Sequence, residues 1–109
     1  MDIKNIQPAV NELRKRLVER FGSNIQLYLF GTVVRGDYRT DSDIDILLLL
    51  PNELTYPLEE EVFDLAYDVE LEYNVLFGIS VYSKDFWHSQ HARIMPLYEH
   101  IQNEGKILL

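Results

Sequence analysis

Cysteine is absent from the 109-residue chain, so neither a disulfide framework nor a thiolate zinc site holds it together. Positive charge is scarce: 10 Lys and Arg stand against 18 Asp and Glu, a formal net charge of −8. Proteins that bind duplex nucleic acid draw affinity from neutralised phosphates and carry a basic surface, so that class is disfavoured. A nucleotide that brings its own Mg2+ stays open, because the metal supplies the positive charge. Long hydrophobic runs are also missing. The longest, Ile44–Leu50, is interrupted by Asp45 and falls far short of the ~20 residues that span a bilayer. The start, Met1-Asp2-Ile3-Lys4-Asn5, lacks the apolar core of a signal peptide. A cytoplasmic protein without membrane attachment is therefore expected. No low-complexity stretch, repeat or linker divides the chain. With 47% apolar and 26% charged residues it has the composition of one folded domain, expected to cover residues 1–109.

Hydrophobic periodicity places the elements. Val10, Leu13, Leu17 and Phe21 recur at helical spacing, which predicts a helix over Pro8 to Phe21 stopped by Gly22. Ile25 to Phe30 reads as a short strand ended by Gly31, and Thr32 to Arg35 as one helical turn before a loop. Ile44 to Leu50 is nearly all apolar, as in a strand buried on both faces. Thr55 caps a helix whose stripe is Leu58, Val62, Leu65 and Val69, with Glu59, Glu60 and Glu61 where the N-terminal dipole favours acid. Val75 to Tyr82 is a third strand. A short helical segment runs through Trp87, and a last helix covers Met95 to Gln102, stopped by Gly105. The apolar tail Ile107-Leu108-Leu109 either docks on the sheet or pairs with a partner. Helices alternating with a few strands indicate an α/β (α+β) domain with a small mixed sheet.

The chemistry is concentrated in Leu29 to Ile46, LFGTVVRGDYRTDSDIDI. A strand ends in Gly31-Thr32, where glycine lets a ligand approach the backbone and Thr32 offers a hydroxyl. A helical turn after it would direct free N–H groups at an anion. Taken alone, a Thr in this place is more often an N-cap. Asp43 and Asp45 flank Ile44, so on a strand both carboxylates face one way, with Cα atoms roughly 6–7 Å apart. Such a pair on a rigid strand suits Mg2+, which takes few protein oxygens and leaves other positions to phosphates and water. Taken alone, the pair is more often a solvated loop end. Ten residues, Val33 to Ser42, separate the two features, enough for a helical turn and a return loop to bring them to neighbouring strand ends.

The pattern G-[ST]-x10-D-x-D, with Arg35-Gly36 and Ser42-Asp43-Ile44-Asp45 inside it, resembles the minimal nucleotidyltransferase family of the DNA polymerase β-like superfamily. The resemblance implies that Gly31, Thr32, Arg35 and Ser42 bind the nucleotide. It implies that Asp43 and Asp45 are the catalytic carboxylates and hold Mg2+. Family members move a nucleoside monophosphate, here AMP from ATP, onto a hydroxyl and release pyrophosphate. Small members are often paired with a HEPN-domain toxin and act as its antitoxin, in some cases by adenylylating a Tyr of the toxin.

Two departures stand out. Thr32 replaces the usual serine and keeps the hydroxyl. Active members usually carry a third carboxylate on the next core strand, and Val75 to Tyr82 contains none; Glu70 and Glu72 precede it, Asp85 follows it, and Ser80 is its polar interior residue. Either Glu72 reaches in, or the site has two carboxylates. The alternative reading follows from this: a catalytically weak or inactive module that binds nucleotide or partner and acts by occlusion. A metal-dependent phosphohydrolase ranks below both, for want of a His-Asp cluster. Homo-oligomerisation is left open.

Other features carry less. Asp41, Asp43 and Asp45 mimic a calcium loop, but Ile46 and Asn52 stand where it needs Gly and Glu. Arg35-Gly36-Asp37 is taken as coincidence. His88 and His91 fit surface positions better than zinc ligation. Phe86 and Trp87 suit packing. Tyr38 either stacks on a nucleobase or is a half-exposed loop aromatic. The basic side of the first helix, Arg14, Lys15, Arg16 and Arg20, meets an acidic partner or is solvated.

Overall fold

A computed structural model describes residues 3–109; Met1 and Asp2, the first two of the stretch read for a signal sequence, lie outside the described residues. After a 3-10 turn at Ile3–Asn5, the elements are α1 (Ile6–Phe21), β1 (Gln26–Phe30), α2 (Thr32–Arg35), β2 (Ile44–Leu50), α3 (Tyr56–Tyr73), β3 (Phe77–Ser83), α4 (Lys84–Trp87), α5 (Gln90–Arg93), α6 (Pro96–Glu104) and β4 (Lys106–Ile107). Among the described residues no helix is long and apolar enough to cross a membrane.

The sheet has strand order β3-β2-β1-β4. β2 and β3 are parallel, while β1 is antiparallel to both β2 and β4. A parallel pair needs a crossover, and α3 is that connection. Thr55 Oγ1 starts α3 by accepting from the Leu58 N–H at 3.3 Å, with Pro57 in the first turn.

Alternation along β2 divides the core in two. Ile44, Ile46, Leu48 and Leu50 face one way, against Ile6, Leu13 and Leu17 of α1 and Val62, Ala66 and Val69 of α3. Leu47 and Leu49 face the other way and pack with Phe30, Trp87, Ala92 and Ile101, under α4, α5 and α6. Trp87 lies within this second core, its ring centroid 5.1 Å from that of Tyr98 and 6.0 Å from that of Tyr82. The result is a mixed four-stranded sheet between two helical layers, the α/β class the sequence indicates.

The differences from expectation are local. α1 begins at Ile6, two residues before Pro8, because Ile6 itself is buried. β3 begins at Phe77, where its pairing with Ile44 starts. α5 is a four-residue helix without a periodic signal. The C-terminal tail docks on the sheet: Leu108 N–H donates to Leu27 O at 2.8 Å, and Leu27 N–H to Leu109 O at 3.2 Å. The basic side of α1 is partly engaged within the molecule. Arg16 pairs with Glu12 and Glu72, and Arg20 pairs with Glu61.

Candidate active site

Strand direction gathers the candidate residues. β1 runs into Gly31 where β2 and β3 begin, with Phe30 opposite Asp45 and Asp45 opposite Gly78. α6 ends at Glu104 beside the same corner: Glu104 Oε1 accepts from the Gly31 N–H at 3.2 Å. Register puts Asp45 on the sheet face that carries the second core, at its open end.

Gly31 has φ +79° and ψ −153°, a region that only glycine occupies readily. A Cβ there would collide with Asp45 Oδ2. Gly78 is a second close approach. A Cβ on it would lie 2.9 Å from Asp45 Oδ1 and 3.6 Å from Asp43 Oδ2. Both carboxylates therefore reach one point over β3, and their oxygens are no further apart than those two distances allow. Arg35 and the Gly31 N–H, donors at this corner, are engaged by Glu104. Burial, and after it the charge of Asp43, hold the Asp45 carboxyl above the ordinary carboxylate range; Arg35 opposes this and Glu104 adds to it.

Thr32 follows Gly31, and its Oγ1 is buried without a hydrogen-bond partner. Unpaired buried hydroxyls are uncommon and call for an explanation. Arg35 closes α2. Its guanidinium meets Glu104 through Nη1 at 3.1 and 3.2 Å and lies 3.5 Å from Asp37 Oδ1. Ser42 acts locally, its hydroxyl accepting from the Arg39 N–H at 2.9 Å and tightening the loop. Gly31, Thr32, Arg35, Asp43 and Asp45 thus share one corner, and Ser42 sits in the turn leading to it. Tyr38 packs partly buried against the first core, which matches the half-exposed loop aromatic of the two readings above.

The third carboxylate sought in the sequence has a clear outcome. Glu72 is ion-paired to Arg16 on the surface. Glu70 accepts from the Phe77 N–H at 2.7 Å and thereby anchors the start of β3. Asp85 lies beyond the opposite end of β3. The β3 position beside Asp45 is Gly78, and among the described residues no group of three His, Cys, Asp or Glu side chains could hold a metal ion.

Sequence reasoning missed Gly78 and Glu104 as parts of this corner. A glycine inside a strand is itself a signal of close approach. Glu104 carries no such mark, because it reaches Gly31 across 73 residues of chain.

The donor set fits a small hard cation. Two carboxylate groups converge on one point, beside two glycines that put no side chain over them.

Comparison with known proteins gives this corner its context. The model of the nucleotidyltransferase domain matches residues 10–106. The chain belongs to that family, and its activity class is nucleotidyl transfer. A Methanocaldococcus jannaschii protein named "Putative protein adenylyltransferase" is 29% identical over 105 residues, covering 95% of this chain and 98% of its own. A second protein of that organism, with the same descriptive name, is 28% identical over 82 residues, covering 75% and 77%. A solved toxin-antitoxin structure with AMP-PNP is similar in fold, with TM-score 0.58 and 19% identity over 89% of this chain and 70% of its own. A mutant of the toxin-antitoxin MntA-HpeT gives TM-score 0.58 and 18% identity over 88% and 69%.

Proposed function

We propose that this nucleotidyltransferase moves AMP from ATP onto a hydroxyl of a partner protein, with a HEPN-domain toxin as the favoured acceptor and Mg2+ as the metal. The observation that carries the reading is the convergence of Asp43 and Asp45 beside two glycines whose missing side chains leave the carboxylates uncovered. The name of the M. jannaschii relatives supports adenylyl transfer to protein, and the AMP-PNP of the structural neighbour supports an adenine nucleotide.

Asp43 and Asp45 would hold Mg2+, which when bound offsets charge on the α-phosphate and on the leaving pyrophosphate. Gly31 lets the triphosphate lie close to the chain. Thr32 donates its otherwise unpartnered hydroxyl to a phosphate oxygen. Arg35 turns from Glu104 to the phosphates, for which its fork of donors is suited. The acceptor oxygen bonds to the α-phosphorus, the bond from that phosphorus to the bridging oxygen breaks, and the acceptor proton passes to water. A positioned general base is typically worth 10²–10⁴-fold. With Gly78 at the adjacent β3 position, turnover is expected to be slow.

The test is transfer of label from [α-32P]ATP to a purified HEPN-domain protein, with Mg2+ or with EDTA. Labelling in Mg2+, lost in EDTA and in Asp43→Asn, supports the reading. Labelling that persists in Asp43→Asn overturns the site assignment, and no labelling by the wild type overturns the activity. The acid-free β3 favours a second reading, occlusion of the partner without transfer. In that case Asp43→Asn still neutralises the toxin.

A further inference from the structure

We infer that the outward face of α3 is a docking surface for a basic amphipathic helix of a partner protein. α3 is anchored from within by Val62, Ala66 and Val69. On another side it carries a row that the fold does not use. Phe63, Tyr67 and Leu71, spaced four apart, are 42%, 58% and 66% exposed, and Tyr56 extends the row at 80%. Residues four apart form a continuous ridge on a helix. Beside it runs a second exposed ridge, Glu60, Asp64 and Asp68.

Charge selects the occupant. Residues 56–73 contain seven Asp and Glu and no Lys, Arg or His. Glu61 and Glu72 are paired to arginines of α1, and Glu70 serves the Phe77 N–H. The ion-paired arginines Arg16, Arg20 and Arg35 are engaged by other acids, not by Glu60, Asp64 or Asp68. A second copy of this chain would set acid against acid on the same ridge, and nucleic acid or an anionic membrane would be repelled. What fits is an apolar ridge flanked by Lys or Arg, laid along a helix of 18 residues, roughly 27 Å long. A cavity of about 230 Å³ lined by Tyr56, Glu59, Glu60 and Phe63 lies at the start of this face, placed for one anchoring side chain. α3 covers the sheet face opposite Asp45, so a helix bound there leaves the candidate active site open. The inference does not depend on the nucleotide chemistry.

The test uses two fluorescent 18-residue synthetic helices with the same leucine ridge, one flanked by Lys and one by Glu, in anisotropy titrations against the full chain. The basic peptide should bind at least about tenfold more tightly than the acidic one. Tyr67→Ser with Leu71→Ser, and separately Glu60→Gln with Asp64→Asn and Asp68→Asn, should each weaken it at least about tenfold. Glu19→Gln with Glu53→Gln and Asp85→Asn, three acids elsewhere, should leave it within about twofold. These positions are exposed, so circular dichroism and melting curves should match the wild type. Equal binding of both peptides, or equal loss from the two acid-to-amide triples, overturns the inference. So does a wild-type dimer in sedimentation that Tyr67→Ser with Leu71→Ser dissociates, because a second copy would then be the occupant.

Discussion

Gly31→Ala tests the corner on which the site depends. At φ +79° and ψ −153° an alanine meets a backbone penalty of about 1–3 kcal/mol. Its Cβ also collides with Asp45 Oδ2, and turning that carboxylate aside costs about 0.5–1.5 kcal/mol in an off-rotamer side chain. The two together give a loss of about 1.5–4.5 kcal/mol, a fall in Tm on the order of 10–20 °C at this chain length. Asp45→Ala separates them. In that background the collision is gone and the backbone penalty stays, so the same substitution should cost about 1 kcal/mol less, a coupling typical of side chains in contact. Gly36→Ala is the control, because Gly36 has φ +81° and a methyl added there would meet no atom within 4 Å, so only the backbone cost of about 1–2 kcal/mol applies. Urea unfolding of the four proteins of the cycle, with Gly36→Ala beside them, measures all of this. A Gly31→Ala cost that is the same with and without Asp45 would refute the close approach, and a cost below about 0.5 kcal/mol would refute the backbone geometry as well.

Three further outcomes are expected. Glu104→Gln removes a negative charge from the donors of Gly31 and Arg35, and should tighten ATP binding by about three- to tenfold in calorimetry, since a like charge next to a bound anion opposes it; weaker binding would show that Glu104 holds those donors in place. Asp45 binds its proton more tightly folded than unfolded, so the apo protein loses stability as pH rises from the unfolded carboxyl value through the higher folded one, and regains it on acidification. Asp45→Asn should therefore have the higher Tm at neutral pH, by an amount that shrinks in acid, while added Mg2+ should raise the Tm of the wild type alone; a pH-independent difference would contradict this. Thr55→Ala removes the cap of α3 and should cost about 1 kcal/mol in urea unfolding, with nucleotide transfer unchanged.

How far the sequence reveals this arrangement depends on the range of the forces involved. β2 is legible because a strand between two helical layers must be apolar on both faces, and the one charge within it, Asp45, marks the open end. The convergence of Gly31 with Asp45 is legible because a turn of helix and a loop in Val33 to Ser42 return the chain to a neighbouring strand. α5 is not, since four residues cannot display a period, and their helical turn follows from Ala92 entering the second core. The docking of the tail is undecided in the sequence, because Leu108 and Leu109 are equally apolar in either setting and only the free edge of β1 selects one. Glu104 is the extreme case: its place follows from where α6 ends against β1, which local pattern does not encode.

The charge balance of the corner connects the fold to the proposed chemistry. Asp43, Asp45 and Glu104 bring three negative charges to one strand end, and among the described residues Arg35 stands against them, already engaged by Glu104. A chain selected only for stability would replace Asp45, whose carboxyl is partly buried beside the charge of Asp43. A bare triphosphate would meet repulsion here and over the rest of a chain carrying −8. Under the proposed assignment, a triphosphate entering with a divalent cation would reverse both effects, because the carboxylates that repel the anion would bind its metal. The preference would then be for the metal complex over the free nucleotide, and it would arise from residues that cost the apo protein stability.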